Sequence, residues 1–221
     1  MEKLKRKQWL GFGSFGETEI SMLEGTIISS FFPEAEEMTI KEIQERAGYD
    51  HEYSYERVNS TLKSLAEKKI VVEKQSGKTL VYSLDSKNLY AESMGFNAYM
   101  LQRKIEFIKK HKPIYDVIKK VVESPYVMGV ILFGSYSKKT ETKHSDVDLM
   151  CISDKKKETE HLVKSLKYES NVEFSPIVIP MHEFPDIKKD NLVLWNDLKR
   201  YGIIFKGKGT FYYWMYKDEK N

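Results

Sequence analysis

Apolar side chains in the first 87 residues recur first at helical spacing and then in two short β-type runs. Thr39 and Ser54 stand where N-caps are expected, and residues 75–78 have the composition of a turn. The predicted elements are helices over residues 19–32, 40–46 and 54–69 and strands over residues 70–73 and 80–84.

The second half of the chain begins with two helical patterns and continues with a buried strand. The first helix covers residues 88–111, and the second is opened by Pro113, whose missing N–H suits the first turn of a helix. Residues 126–133 (YVMGVILF) are almost continuously apolar, which is typical of a strand buried on both faces. Alternating apolar and polar residues predict a further strand at residues 172–178.

The order helix, helix–turn–helix, two-stranded hairpin resembles the winged helix-turn-helix transcription regulators of bacteria and archaea, over about residues 17–86. We therefore expect an α+β chain of two domains. The expected boundaries are a winged helix-turn-helix domain at residues 1–87, a connecting helix at 88–112 and a second domain at 113–221.

Composition excludes several classes of protein. The chain has 221 residues, of which 41% are hydrophobic and 31% charged, which is enough apolar material for folded cores. The 36 Lys and Arg exceed the 33 Asp and Glu by three, so a histone-like polycation is excluded and any nucleic-acid contact must be local. The single cysteine, Cys151, excludes an intrachain disulfide framework and a cysteine-based zinc cluster. No apolar run reaches membrane-spanning length, so we expect a soluble, cytoplasmic protein that does not bind membranes.

Charge is distributed unevenly within the first domain, where mostly acidic residues 17–56 precede a small basic island at residues 57–78. In a winged helix these basic side chains fall on the recognition helix and beside the wing tip, where contacts with the phosphates of duplex DNA are made. The candidate nucleic-acid-binding residues are Arg57, Lys63, Lys68, Lys69, Lys74 and Lys78. A solvated charged face or a protein-docking surface fits the same pattern, so duplex DNA and a protein partner both stay open. Winged-helix regulators commonly pair, so a homodimer stays open too, with the helix at residues 88–111 as its candidate contact.

The stretch with the most specific chemistry follows the buried strand and reads LFGSYSKKTETKHSDVDLM. Gly134 lets a phosphate approach the backbone closely, and Ser135 stands at a helix start, where free N–H groups bind anions. Asp146 and Asp148 stand two apart on the next strand, so their carboxylates project from one face. That arrangement suits a hard divalent cation, Mg²⁺ or Mn²⁺, which bridges the phosphates of a nucleotide.

This arrangement resembles the signature of the nucleotidyltransferase superfamily that includes DNA polymerase β, especially its minimal nucleotidyltransferase branch. The family pattern is hG[GS] followed by Dh[DE]h, in which h is an apolar residue. The resemblance covers about residues 113–207, because residues 191–207 are similar to the closing helix and final strand of the family. It implies a nucleotidyltransferase fold, a mixed β-sheet with flanking helices, in residues 113–221.

The resemblance also implies roles for individual residues. Asp146 and Asp148 would hold the metal, and a third carboxylate on a neighbouring strand would complete the metal site or act as the base. Glu173 is the candidate because its apolar neighbours turn it to the opposite face; an ordinary solvent-facing glutamate is the alternative. The candidates for binding the nucleotide phosphates are Gly134, Ser135, Lys139 and Ser145, although Lys139 replaces a glycine that is common in small relatives.

The implied reaction transfers a nucleoside monophosphate from a nucleoside triphosphate, with ATP favoured, to a hydroxyl, and pyrophosphate leaves. The acceptor stays open among DNA, RNA, a protein side chain and a small molecule. The alternative is a DNA-binding regulator whose second domain senses nucleotide or binds a partner, including an antitoxin-like role in which the partner's hydroxyl receives AMP. The aromatic residues 211–214 fit either stacking on a base or packing, on the domain or at an oligomer interface, and packing is favoured.

Overall fold

The computed structural model describes residues 20–34, 37–48 and 53–217, and the fold divides the chain into two units. The first unit is Met1–Tyr99 and the second is Met100–Asn221. Within the described residues, no helix combines the length and the apolar character that crossing a membrane requires.

The first unit contains short helices and a three-stranded antiparallel sheet. Its elements are α1 (Met22–Ser30), β1 (Met38–Thr39), α2 (Ile40–Ala47), α3 (Tyr55–Glu67), β2 (Val71–Ser76), β3 (Thr79–Leu84) and the start of α4 (Leu89–Glu123). Strands β1 and β2 both pair with β3, in the order β1–β3–β2. The predicted succession of helices and hairpin is confirmed, and Thr39 and Ser54 cap α2 and α3 through their side-chain oxygens.

The hairpin is longer than the apolar pattern predicts. Strands β2 and β3 pair from Val71↔Leu84 to Ser76↔Thr79, which confines the turn to Gly77 and Lys78. Gly77 supplies a backbone φ of +60°, which a residue with a Cβ rarely adopts. Because β2 is an edge strand that is exposed beyond Val71, its polar residues extend the ladder without adding apolar side chains to the core. The apolar alternation therefore stops before the strand does.

A buried acid on α1 joins the helices of the first unit. Glu24 is 5% exposed, and its carboxylate accepts hydrogen bonds from Lys68 Nζ at 2.8 Å and Ser64 Oγ at 3.0 Å, both at the end of α3. The same side chain closes a capping box with Ser21 at the start of α1. Burial alone would raise the pKa of Glu24, but the hydrogen bonds from Lys68, Ser21 and Ser64 outweigh it and hold that pKa below its ordinary value.

Helix α4 covers the residues for which the sequence predicts two successive helices, and it is broken where those two helices would meet. His111 leaves the helical region within it, with φ −130° and ψ 40°. The break precedes Pro113 by two residues, and proline both lacks the N–H of a helical hydrogen bond and crowds the carbonyl of the preceding turn. The junction between the two predicted helices is therefore a break inside α4.

The second unit is a mixed four-stranded sheet with helices packed against it. After α4 its elements are β4 (Gly129–Phe133), α5 (Gly134–Lys138), β5 (Val147–Ile152), α6 (Lys156–Ser165), α7 (Lys167–Ser170), β6 (Phe174–Ile179), a 3₁₀ helix (Met181–Asp186), α8 (Ile187–Asp190), α9 (Leu192–Tyr201), β7 (Ile203–Lys206), α10 (Lys208–Tyr212) and a π-helical turn (Tyr213–Lys217). The strand order is β6–β5–β4–β7, in which β5 and β6 are parallel and the other pairs antiparallel. The predicted α+β fold class is confirmed.

The core of the second unit explains the lone cysteine and the aromatic tail. Cys151 is fully buried in β5, and burial raises the pKa of its thiol to about 12. Phe211 is 1% exposed and packs edge-on against Phe184, while Trp214 stacks on the same Phe184 ring with centroids 5.1 Å apart. The tail therefore packs on the unit, the second of the two alternatives that the sequence left open.

Replacing Glu24 by Gln should lower the free energy of unfolding of the first unit by about 1–3 kcal/mol, because a charge-assisted bond to Lys68 is lost. The folded pKa is depressed, so this stabilisation is complete above the unfolded pKa of about 4.3 and disappears as the pH falls through the folded pKa. Urea unfolding at neutral pH and at about pH 3, followed by NMR of first-unit amides, measures both effects.

Glu37→Gln is the matched control, because Glu37 makes an exposed ion pair with Lys74 and should contribute less than about 1 kcal/mol. Equal losses for Glu24→Gln and Glu37→Gln at neutral pH would contradict the role given to Glu24.

Candidate active site

A glycine in the left-handed region joins β4 to α5. Gly134 has a φ of +68°, and a Cβ at this position would lie 1.9 Å from Oδ2 and 2.8 Å from Cγ of Asp148. The ladder between β4 and β5 pairs Phe133 with Asp148, so the carboxylate lies directly against the start of α5. Only glycine provides both the backbone conformation and the space that the carboxylate occupies.

Two carboxylates stand at the beginning of β5. Asp146 is exposed one residue before the strand, and Asp148 is half-buried inside it. Burial raises the pKa of Asp148 above its ordinary value, and the negative charges of Asp146 and Asp197 raise it further, while Lys138 opposes them. The structure thus brings the predicted pair together at a place where negative charge accumulates.

Three of the four predicted phosphate-binding residues lie in α5 or directly after it. Gly134 and Ser135 form its first turn, and the Ser135 carbonyl accepts hydrogen bonds from the amides of Lys139 and Thr140. Lys139 has φ 63° and ψ 30°, so the position where small relatives carry glycine is indeed in the left-handed region. Its ammonium lies 2.7 Å from Glu106 Oε2 on α4. Its contact with phosphate stays a prediction.

Lys138 and Asp197 are residues of the site that sequence reasoning missed. Lys138 Nζ lies 2.6 Å from Asp197 Oδ1 on α9, and both charges act on the pKa of Asp148. Lys138 could have been found, because it stands one helical turn after Ser135. Nothing in the spacing of residues 191–207 marks Asp197, since it reaches the site only through the packing of α9.

Ser145, the fourth predicted phosphate-binding residue, shapes the loop before the carboxylates. Its Oγ accepts a hydrogen bond of 2.9 Å from the Thr142 amide and lies 3.3 Å from Thr142 Oγ1. This side-chain-to-backbone bond is of the kind that stabilises turns. The bond stabilises the loop that leads to Asp146. A direct contact of Ser145 with phosphate stays a prediction.

Glu173 immediately precedes β6, as Asp146 precedes β5, and the two strands are parallel with Val147 opposite Phe174. Its side chain is 63% exposed, and a carboxylate oxygen lies 3.3 Å from Lys167 Nζ. Burial of Phe174 confirms the predicted alternation along this strand. Among the described residues, no group of three or more His, Cys, Asp or Glu is arranged to hold a metal ion. The role of Glu173 as third ligand or base stays a prediction.

Two of the six candidate side chains in the basic island form ion pairs with acids of the first unit. Lys68 is bound to the buried Glu24, and Lys74 lies 2.7 Å from Glu37. The remaining candidates are exposed, and one of them makes a cation–π contact with Tyr53 at 5.3 Å. Arg57 makes the contact with Tyr53, and the other three exposed residues are Lys63, Lys69 and Lys78. Their contact with DNA stays a prediction.

Gly134→Ala should destabilise the second unit by more than about 2 kcal/mol, because it adds left-handed strain to a collision with Asp148. Gly77→Ala is the matched control: it has a similar φ of +60° but no atom within 4 Å of the added Cβ, so it should cost about 1 kcal/mol in the first unit. Urea unfolding with an NMR probe in each unit compares the two. A Gly134→Ala variant no less stable than Gly77→Ala would show that Asp148 does not lie against this turn.

Comparison with protein families agrees with this geometry. Residues 114–200 match the family model of the nucleotidyltransferase domain, a range that includes β4, α5 and both aspartates. Residues 20–95 match the family model of the penicillinase repressor. Searches of curated proteins and of solved structures each found no match. The chain therefore combines an N-terminal winged-helix-like region, which matches the penicillinase-repressor model, with a C-terminal region that matches the nucleotidyltransferase domain.

Proposed function

We propose that this protein is a nucleotidyltransferase that depends on a divalent cation and moves a nucleoside monophosphate from a nucleoside triphosphate to an acceptor hydroxyl. ATP is the favoured donor. The observation that supports this proposal most strongly is the contact of Asp148 with Gly134, in a domain that matches the nucleotidyltransferase family. It joins a carboxylate pair to the start of α5, where backbone N–H groups can bind a phosphate.

The donor set fits Mg²⁺ or Mn²⁺. These cations take oxygen ligands and are commonly held by one or two carboxylates together with substrate phosphates and water. Asp146 and Asp148 supply two carboxylates. Burial raises the pKa of Asp148, and so do the negative charges of Asp146 and Asp197, which a bound cation would offset. Glu173 is the candidate for a third. When bound, the cation would neutralise the triphosphate and lower the pKa of the acceptor hydroxyl.

The α5 segment is the candidate for holding the triphosphate. Ser135 offers a hydroxyl and a backbone N–H at the start of α5, while the space left by the missing side chain of Gly134 is occupied by the Asp148 carboxylate. Lys138 adds a positive charge whose effect reaches Asp148, and its ion pair with Asp197 keeps it on this side of α5. We assign Lys138 as the main cation for the phosphates, with Lys139 and Ser145 as further candidates.

Glu173 is our candidate for the residue that receives the proton of the acceptor. The acceptor oxygen forms a bond to the α-phosphorus while the bond to pyrophosphate breaks, and the hydroxyl proton passes to the carboxylate. Glu173 is exposed, so an acceptor can reach it from solvent. This exposure supports a large acceptor as readily as a small one.

The match to the penicillinase repressor supports a second activity, binding of duplex DNA by the first unit. Exposed residues on α3 include Tyr55, Arg57 and Lys63, and Lys78 stands at the tip of the hairpin. These positions are those at which a winged helix contacts bases and phosphates. In this alternative the protein is a regulator whose transferase domain senses nucleotide or binds a partner without turnover. An antitoxin-like role, in which a partner's hydroxyl receives AMP, stays a further possibility.

Asp146→Asn and Asp148→Asn should each reduce pyrophosphate release from ATP by about 100-fold or more, because each removes a charge from the proposed metal site. Glu158→Gln is the control, since Glu158 is an exposed carboxylate on α6 and should leave turnover unchanged. Pyrophosphate release is measured with Mg²⁺ or Mn²⁺ across nucleotides and acceptors. Full activity in the aspartate variants, or no turnover by the wild type in the whole screen, would contradict the enzyme proposal.

The double variant Lys63→Ala, Lys78→Ala should weaken binding to duplex DNA and reduce the slope of log K against log salt by about 2, one for each phosphate contact. Fluorescence anisotropy over a series of salt concentrations measures both quantities. Lys87→Ala, an exposed lysine outside α3 and the hairpin, is the control. A salt slope that does not change would exclude this surface as the DNA-binding site.

A further inference from the structure

Side chains on one face of α4 bind alternate residues of the segment that follows Gly134. Arg103, Glu106 and Lys110 are separated by three and four positions, so they lie on one face of the helix, and His111 follows at the break of α4. We call Arg103, Glu106, Lys110 and His111 the α4 clamp. The residues that it binds are Ser137, Lys139 and Glu141.

Arg103 makes the most extensive of these contacts. Its Nη2 donates hydrogen bonds to the carbonyls of Ser137 at 2.9 Å and Tyr201 at 2.5 Å, and its Nη1 donates to the carbonyl of Arg200 at 3.2 Å. These carbonyls lie in the last turns of α5 and α9, where helical carbonyls lack partners within their own helix. One guanidinium thus satisfies the ends of two helices and adds a favourable charge at both.

The other members of the clamp hold the loop beyond α5. Glu106 Oε2 lies 2.7 Å from Nζ of Lys139, the residue whose backbone is in the left-handed region. The Glu141 carboxylate is 9% exposed, is bound by Lys110, and lies 3.2 Å from His111 Nε2 at the break of α4. The loop leading to the aspartates is therefore attached to α4 at both of these points.

The length of α5 makes these contacts necessary for its position. The helix has five residues, and a single helical turn is unstable without tertiary support. Besides Arg103, the ion pair between Lys138 and Asp197 ties α5 to α9. Arg103 binds the carbonyl ends of those same two helices, so α5 is held through both its backbone and its side chains.

We propose that the α4 clamp, with Arg103 as its central member, is the positioning element of the transfer site. It keeps the phosphate-binding segment at the position relative to Asp146 and Asp148 that a bound triphosphate requires. The proposal rests on the proposed function. Arg103 is a positioning residue, since it acts through the carbonyls of α5 and α9. It stands outside residues 114–200, so the nucleotidyltransferase domain as matched is completed by the helix that precedes it.

The test compares Arg103→Gln, Arg103→Lys and the control Lys109→Gln, an exposed residue on the same helix, in the full chain. Hydrogen–deuterium exchange is measured on each without ligand. Arg103→Gln should speed exchange of peptides covering residues 134–145 and the end of α9, with β5 unchanged. Arg103→Lys should show a smaller effect, because an ammonium cannot reproduce the planar fork. Lys109→Gln should match the wild type.

Steady-state kinetics with ATP and Mg²⁺ provide the second measurement. Arg103→Gln should raise the KM for ATP roughly tenfold with a smaller change in kcat, because a displaced phosphate segment weakens binding before it affects chemistry. Unchanged exchange at residues 134–145 would overturn the clamp. So would faster exchange with an unchanged KM. If Arg103→Gln does not fold, Arg103→Lys decides by the same criteria.

The two proposals fail separately. A wild-type protein that turns over no nucleotide contradicts the proposed function, and with it the positioning of a transfer site, whatever the exchange data show. A wild type that is active, combined with Arg103 variants that exchange and turn over like the wild type, leaves the proposed function intact and overturns the clamp.

Discussion

The candidate site depends on one close contact, that of the Asp148 carboxylate with the Cα of Gly134. The left-handed conformation of this glycine turns the chain out of β4 and into α5, and the missing Cβ leaves the space that Oδ2 occupies. The antiparallel ladder between β4 and β5 then fixes which carboxylate lies there. The backbone conformation of Gly134 and the pairing of β4 with β5 therefore bring Gly134, Ser135 and the two aspartates together.

What the sheet cannot provide is a stable position for α5 and the loop after it. A five-residue helix contributes little stability of its own, so its position is set by neighbours on α4 and α9. Arg103 and Asp197 come from outside the strand–turn–strand motif, and each reaches α5 by tertiary packing. In this view the motif supplies the reacting groups, and the surrounding helices hold them still enough to act on a triphosphate.

Local patterns were enough to predict helices α1 to α4, the caps at Thr39 and Ser54, and the strand–turn–strand motif. Each of those features depends on residues that are close in sequence, such as a hydroxyl three residues before an amide. Two ion pairs could not be predicted, that of Lys68 with Glu24 and that of Lys138 with Asp197, because both join distant segments through packing. Its charge made Lys68 a candidate for binding DNA, but its ammonium is paired with the buried carboxylate of Glu24.

The central claim is that the turn at Gly134 and the two aspartates form one site for a nucleoside triphosphate and a divalent cation. A crystal structure of the protein soaked with Mg²⁺ and a non-hydrolysable ATP analogue tests it most directly. The account predicts a cation bound by Asp146 and Asp148, with the triphosphate against residues 134–138. A nucleotide bound elsewhere, or a triphosphate at this turn without a cation on the aspartates, would contradict it.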